Sequence, residues 1–181
     1  MLSGRQPSLI LVGFMGSGKT TLARSLGQRL SIPVVDLDAM VADWAGAPIP
    51  TLFSTLGEPV FRALEAAAVQ IAVRGNASVL ATGGGSVVRP ASAAALSSAG
   101  LVVYLSAPAS ALVARVGRGN GRPMVSGSAD RGARVHALLA SREPIYRSVA
   151  HMEVDTSLRS VAAATAVIAE RYVQVCADWG S

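Results

Sequence analysis

The chain has 181 residues, 51% of them apolar and only 4% aromatic, with a formal charge of +5 from 16 basic and 11 acidic side chains. That length suits one α/β domain with a core built from Ala, Val and Leu. The composition argues against a membrane span, because no apolar run approaches ~20 residues. It argues against disulfides and cysteine metal clusters, because Cys176 is alone. It also argues against a nucleic-acid surface, because the 15 arginines are scattered rather than gathered in a stripe with interleaved aromatics. Met1 to Ser8 carries no apolar stretch of the kind a secretion signal needs, so a cytoplasmic location is expected.

In chain order, Leu9-Ile10-Leu11-Val12 reads as a buried parallel strand. Gly13-Phe14-Met15-Gly16-Ser17-Gly18-Lys19-Thr20 follows with the spacing G-x-x-x-x-G-K-T, and Thr20 to Leu30 continues as a helix. Strand, glycine-rich loop and helix together make the setting of a phosphate-binding loop. Its backbone N–H groups and the helix N-terminus attract phosphate oxygens. Lys19 can reach the β- and γ-phosphates, and the Thr20 hydroxyl can serve Mg²⁺. Gly13, Gly16, Ser17, Gly18, Lys19, Thr20 and Thr21 are therefore the expected nucleotide-binding residues, with ATP and Mg²⁺ as the expected cofactors.

Pro33 to Asp38 reads as a second strand ending in two acids, followed by a short helix from Ala39 to Trp44. Gly46 to Pro50 breaks the chain. Thr51 to Leu56 reads as a short helix and Gly57 to Arg74 as a long one, with Val60, Leu64, Ala67, Ala68 and Ile71 at helical spacing. Ser78 to Ala81 is a third strand ending in Gly83-Gly84-Gly85. A helix from Ala91 to Ser98, a fourth strand from Leu101 to Leu105 and a helix from Pro108 follow. Gly117 to Gly132, rich in glycine, Ser, Asn and Asp, reads as a mobile loop longer than ordinary connections. Helix resumes from Arg134 to Ser141. Met152 to Val154 is a short last strand, and Val161 to Ala177 a closing helix. The alternation, without repeat or linker, predicts a single domain over residues 1–181 built on a doubly wound parallel sheet. Ligands of such sheets bind at the C-terminal ends of the strands.

Three polar sets fall there. Besides the phosphate loop, period-two alternation places Asp36 and Asp38 on one side of their strand, with Leu37 opposite. One acid can hold Mg²⁺ through water while the other orients the attacking hydroxyl and takes its proton; the other reading is that they cap the helix that follows. Gly83-Gly84-Gly85 lets backbone approach a ligand closely and offers N–H donors. Arg62 has Glu65 three residues on, which can hold its guanidinium still. Trp44, Phe53 and Phe61 read as walls of the substrate region or as core. His136 and His151 fall in no ligand spacing, and Cys176 reads as an inert helix residue.

With these residues in place, the chain resembles the shikimate kinase family. The resemblance rests on the phosphate loop, Asp36-x-Asp38, Gly57-Glu58-x-x-Phe61-Arg62-x-x-Glu65, Gly83-Gly84-Gly85, Arg122-Pro123, and Arg142-x-Pro144-x-Tyr146-Arg147, in family order over roughly residues 9 to 160. It implies a P-loop NTPase fold of the nucleoside-monophosphate-kinase kind, with residues 117–132 as a lid. It implies ATP-dependent phosphorylation of the 3-hydroxyl of shikimate on the way to aromatic amino acids. It assigns Asp38, Arg62, Gly84, Gly85 and Arg142, with Gly83 beside them, to shikimate. Arg62 and Arg142 would grip its carboxylate, and Asp38 would assist the attacking hydroxyl. Thr20 and Asp36 would serve Mg²⁺, and Arg122 would contact the transferring phosphoryl group together with Lys19. Arg115 would cover the adenine, with Thr156 to Arg159 on its other side.

The implied partner is a small molecule, with no nucleic acid, no membrane and a monomeric chain. Met124-Val125 stands where the family more often has two leucines, an apolar exchange. A gluconate-type kinase of the same fold is the competing enzyme, and a silent ligand sensor the competing non-enzyme. The triple glycine and the Arg62-to-Glu65 spacing favour shikimate, and the presence of Lys19, Thr20, Asp36, Asp38 and Arg122 favours catalysis.

Overall fold

Five strands pair side by side in one parallel sheet, in the order β2-β3-β1-β4-β5. They are β1 (Ser8–Val12), β2 (Val34–Asp36), β3 (Val79–Ala81), β4 (Gly100–Ser106) and β5 (Met152–Asp155). The computed structural model describes residues 6–117 and 131–179. All five residues of β1 are buried, as a strand covered on both faces requires. Its side chains still alternate. Ile10 and Val12 enter one core with Leu37, Phe61, Tyr104 and Tyr146, while Leu9 and Leu11 enter another with Leu22, Leu26 and Ile168.

The second core is closed by α1 (Lys19–Leu30) and α7 (Val161–Asp178). The first is closed by α2 (Leu37–Ala45), α3 (Ile49–Arg74), α4 (Pro90–Ala99), α5 (Ala109–Gly117) and α6 (Arg131–Val149). Helices on both faces make the sheet doubly wound, as expected. Strand order reverses at β1, between β3 and β4, so the crevice for a ligand opens at the end of β1, where the phosphate loop begins.

The structure corrects three local readings. The second strand stops at Asp36, and Asp38 lies in the first turn of α2 instead of on a strand beside Asp36. The cause is capping: the Asp36 carboxylate accepts the N–H groups of Asp38 (3.1 Å) and Ala39 (3.3 Å) and starts the helix. The long helix does break at Gly57, whose φ of 78° interrupts α3. However, its buried face is Phe61, Glu65, Ala68, Val69 and Ala72, while Val60 and Ile71 are exposed. Glu65 turns inward, which sets the helix one residue away from the apolar stripe. Finally, α6 runs past Ser141 and through Pro144 to Val149. Packing of fully buried Tyr146 outweighs the hydrogen bond that Pro144 removes.

Trp44 is exposed and is no part of the core, whereas the rings of Phe53 and Phe61 meet at a tilt of 39° with centres 4.6 Å apart. His151 serves structure: its Nδ1 accepts the N–H of Val102 in β4 at 3.0 Å. Of the expected lid, residues 118–130, with Arg122, lie outside the described residues, whereas Gly117 ends α5 and Arg131 and Gly132 begin α6 instead of belonging to a loop. Among the described residues no helix is long and apolar enough to cross a membrane.

Candidate active site

The loop from β1 to α1 turns on Gly16 (φ 81°) and Gly18 (φ 94°), left-handed positions that glycine takes without strain. Lys19, the chain's only lysine, folds back so that Nζ donates to the carbonyls of Gly13 (2.8 Å) and Phe14 (2.9 Å). Ser17 is fully buried, and its Oγ has no hydrogen-bond partner among the described residues. Thr20 Oγ1 donates to Asp36 Oδ2 at 2.9 Å, while Asp36 Oδ1 caps α2. The capping reading of Asp36 is therefore met by Oδ1, while Oδ2 is held by the Thr20 hydroxyl.

Beside this loop lies a cavity of about 390 Å³ lined by Gly16 to Leu22 on one side and by Arg115, Thr156, Arg159 and Val161 on the other. Thr21 is on its wall. Arg115 straps the two sides together, since it donates to Gly16 O (3.3 Å), Thr156 Oγ1 (3.1 Å) and Thr156 O (3.0 Å). The loop after β5 is also tied to itself. Ser157 donates its hydroxyl (2.6 Å) and N–H (2.7 Å) to Asp155, holding that carboxyl below the usual carboxylate range.

The turn after β3 is where the second set of residues meets. A Cβ on Gly83 would lie 2.6 Å from Asp38 Oδ1 and 2.6 Å from Glu65 Oε1. The Gly84 carbonyl accepts Arg142 Nη1 at 3.3 Å and the Tyr146 hydroxyl. A Cβ on Gly85 would collide with the Arg62 guanidinium, 2.9 Å from its Cζ. Asp38, Arg62 and Arg142 thus come from α2, α3 and α6 onto three successive glycines. The turn also touches the phosphate loop, because a Cβ on Gly84 would lie 3.5 Å from Met15 N and 3.6 Å from Gly13 O.

Arg62 is held from both sides, by Glu65 (2.7 Å) and Glu58 (3.1 Å). Burial alone would lower its pKa, but the two carboxylates outweigh it and hold the guanidinium above its ordinary value. Glu65 is 3% exposed, and its other oxygen accepts Ser86 Oγ at 3.0 Å. Burial pushes the Tyr146 phenol up to about 12, with Arg142 pulling the other way, so it remains a donor at neutral pH.

Sequence reasoning missed Ser86 and quoted Glu58 and Tyr146 within motifs without giving either a role. The role of Glu58 could have been found from its place one helical turn before Arg62. Ser86 and Tyr146 act on partners 21 and 62 residues away, so no local pattern shows what they do.

A phosphate loop at the switch point of a doubly wound sheet, with two arginines gathered on an adjacent glycine turn, places the chain in the class of P-loop nucleotide-binding proteins. Comparison with known proteins narrows that class. A family model described as shikimate kinase matches residues 15–176. A shikimate kinase of Stenotrophomonas maltophilia is 39% identical over 173 residues, 96% of this chain and 94% of that one. The solved structure of the Acinetobacter baumannii shikimate kinase in complex with shikimate superposes with a TM-score of 0.89 at 32% identity, covering 93% of this chain and 94% of that one. The chain belongs to the shikimate kinase family. A gluconokinase from Sinorhizobium meliloti, at 15% identity and a TM-score of 0.58 over 96% of both chains, shares the fold alone.

Proposed function

We propose that the chain transfers the γ-phosphoryl group of ATP to the 3-hydroxyl of shikimate, giving shikimate 3-phosphate. The observation that carries this reading is the meeting of Asp38, Arg62 and Arg142 on the Gly83–Gly85 turn, directly against the phosphate loop. Phosphoryl transfer asks a protein for positioning and charge neutralisation more than for covalent chemistry. The adjoining cavity supplies the place for the nucleotide: phosphates on Gly13 to Thr21, and adenine between Arg115 and the Thr156–Arg159 segment. Lys19 stands where it can leave two loop carbonyls for phosphate oxygens. The orphaned Ser17 hydroxyl and the left-handed glycines fit an anion cradle.

On the other side of the turn, Arg62 and Arg142 bind the carboxylate of the acid, a pairing that suits the guanidinium fork. Gly84 and Gly85 offer backbone donors, with Gly83 between Asp38 and Glu65. Asp38 orients the attacking hydroxyl and accepts its proton. Thr20 and Asp36 fit Mg²⁺. Among the described residues no cluster of three His, Cys, Asp or Glu side chains forms a protein cage. A hydroxyl and one carboxylate at 2.9 Å suit an ion that keeps its waters and takes phosphate oxygens. When bound, Mg²⁺ neutralises charge on the β- and γ-phosphates. Arg122 joins Lys19 in this task on the strength of the family resemblance. The reading includes a monomer in the cytoplasm that acts on a small molecule, with no nucleic-acid or membrane partner.

ADP release by the purified protein, measured with ATP, Mg²⁺ and either shikimate or gluconate, tests the proposal. Shikimate-dependent ADP supports it. Turnover of gluconate alone makes the chain a gluconate-type kinase, and binding of shikimate without ADP makes it a sensor.

A further inference from the structure

We infer that Tyr146 is a positioning residue for the acid-binding pocket, its hydroxyl donating to the Gly84 carbonyl and accepting from Arg142, so that one phenol holds both the turn and the guanidinium. The inference deepens the reading above and rests on it. Tyr146 lies one helical turn after Arg142 on α6, so both side chains leave the same face. Its ring is fully buried and stacks on Tyr104 of β4, with ring centres 5.3 Å apart and planes at 28°. Tyr104 is itself buried in a strand paired with β1 on one side and β5 on the other. A phenol has few rotatable bonds, and here each is confined by packing, so the hydroxyl has one place to be.

That place is the Gly84 carbonyl. The same oxygen accepts Arg142 Nη1, but at 3.3 Å, a long contact. The phenol is thus the closer partner, and the guanidinium settles against a carbonyl whose direction the phenol has set. The peptide plane carries the effect further. A trans peptide directs the N–H of Gly85 opposite to the C=O of Gly84. Anchoring the carbonyl therefore also aims the Gly85 N–H and holds Gly85 against Arg62, whose guanidinium packs on it. One hydroxyl, braced from the central sheet, sets both arginine contacts of the turn.

Tyr146→Phe tests this without opening a cavity, since the ring and its stack on Tyr104 remain, while the bond to the Gly84 carbonyl and the bond from Arg142 are lost together and Arg142 keeps only its 3.3 Å contact with that carbonyl. Wild-type protein is assayed first, because shikimate-dependent ADP release there establishes the parent reading independently. In the variant, the KM for shikimate is expected to rise about threefold to tenfold, as hydrogen bonds of modest net worth are lost. The KM for ATP and kcat should stay within about twofold, and the melting temperature close to wild type. An unchanged shikimate KM in active, folded variant overturns the inference. So does a parallel rise in both KM values with a lowered melting temperature, which marks a general structural role.

Discussion

Gly85→Ala separates the acid pocket from the nucleotide cleft with a single methyl group. The new Cβ would overlap the Arg62 guanidinium, 2.9 Å from Cζ and 3.1 Å from Nη2, with Nη1 nearer still. Gly85 does not occupy the left-handed region, so alanine meets no backbone strain. What must yield is the end of a flexible side chain, which has to retreat by about 1 Å to regain van der Waals separation. That retreat turns the guanidinium away from Glu65, now at 2.7 Å, and from the carboxylate of the acid. Hydrogen bonds to charged groups contribute about 1.5–3 kcal/mol each. Loss of one corresponds to a rise of about tenfold to 150-fold in the shikimate KM. The clash lies on the far side of the turn from the phosphate loop, so the KM for ATP should move by less than about twofold. Steady-state rates with each substrate varied in turn, beside a melting curve, decide the matter. Arg62→Ala gives the upper limit of the effect. A Gly85→Ala protein with a wild-type shikimate KM would refute the placement of Arg62 at the acid.

Lys19→Ala should lower kcat by about 100- to 1,000-fold through loss of a charge aimed at the phosphates, while equilibrium binding of shikimate changes little; equal damage to both would remove the assigned role. Asp38→Asn should lower turnover by about 100- to 10,000-fold with an unchanged melting temperature, and near-normal rates would take Asp38 out of the catalytic set. The chain's three tyrosines should all resist alkali, because burial raises Tyr104 and Tyr146 to about 12 and Tyr172 upward as well. The unfolded chain releases these protons near pH 10, so between about pH 10 and 12 the folded state binds more protons and loses stability as pH rises. Near-ultraviolet titration of tyrosinate, read against circular dichroism, checks this; a phenol ionising near pH 10 in native protein contradicts it.

Local signals carried most of the fold. β1 with its glycine loop, the break at Gly57 and the alternation of strands with helices were legible because each depends on neighbours in sequence. Asp38 was misplaced because alternation was continued through Asp36, whose carboxylate ends the strand by capping. The inward face of α3 was misjudged because Glu65, a charged residue, is buried by partners that sequence does not display: Arg62 beside it and Ser86 beyond the next strand. Tyr146 stood in a quoted motif, but its role stayed hidden for the same reason, since it lies in a carbonyl 62 residues away and in a ring on another strand.

The lone lysine has a practical side. Every other basic side chain in this protein is an arginine or a histidine, so reagents that acylate primary amines find Lys19 and the terminal amine and nothing else. On the role proposed for Lys19, tethering to a sensor surface, dye labelling or cross-linking through amine esters would inhibit wherever it reaches Lys19 and not the terminal amine, and polyphosphate would act as the protecting group. Attachment through Cys176, half-buried on the closing helix, avoids the phosphate loop.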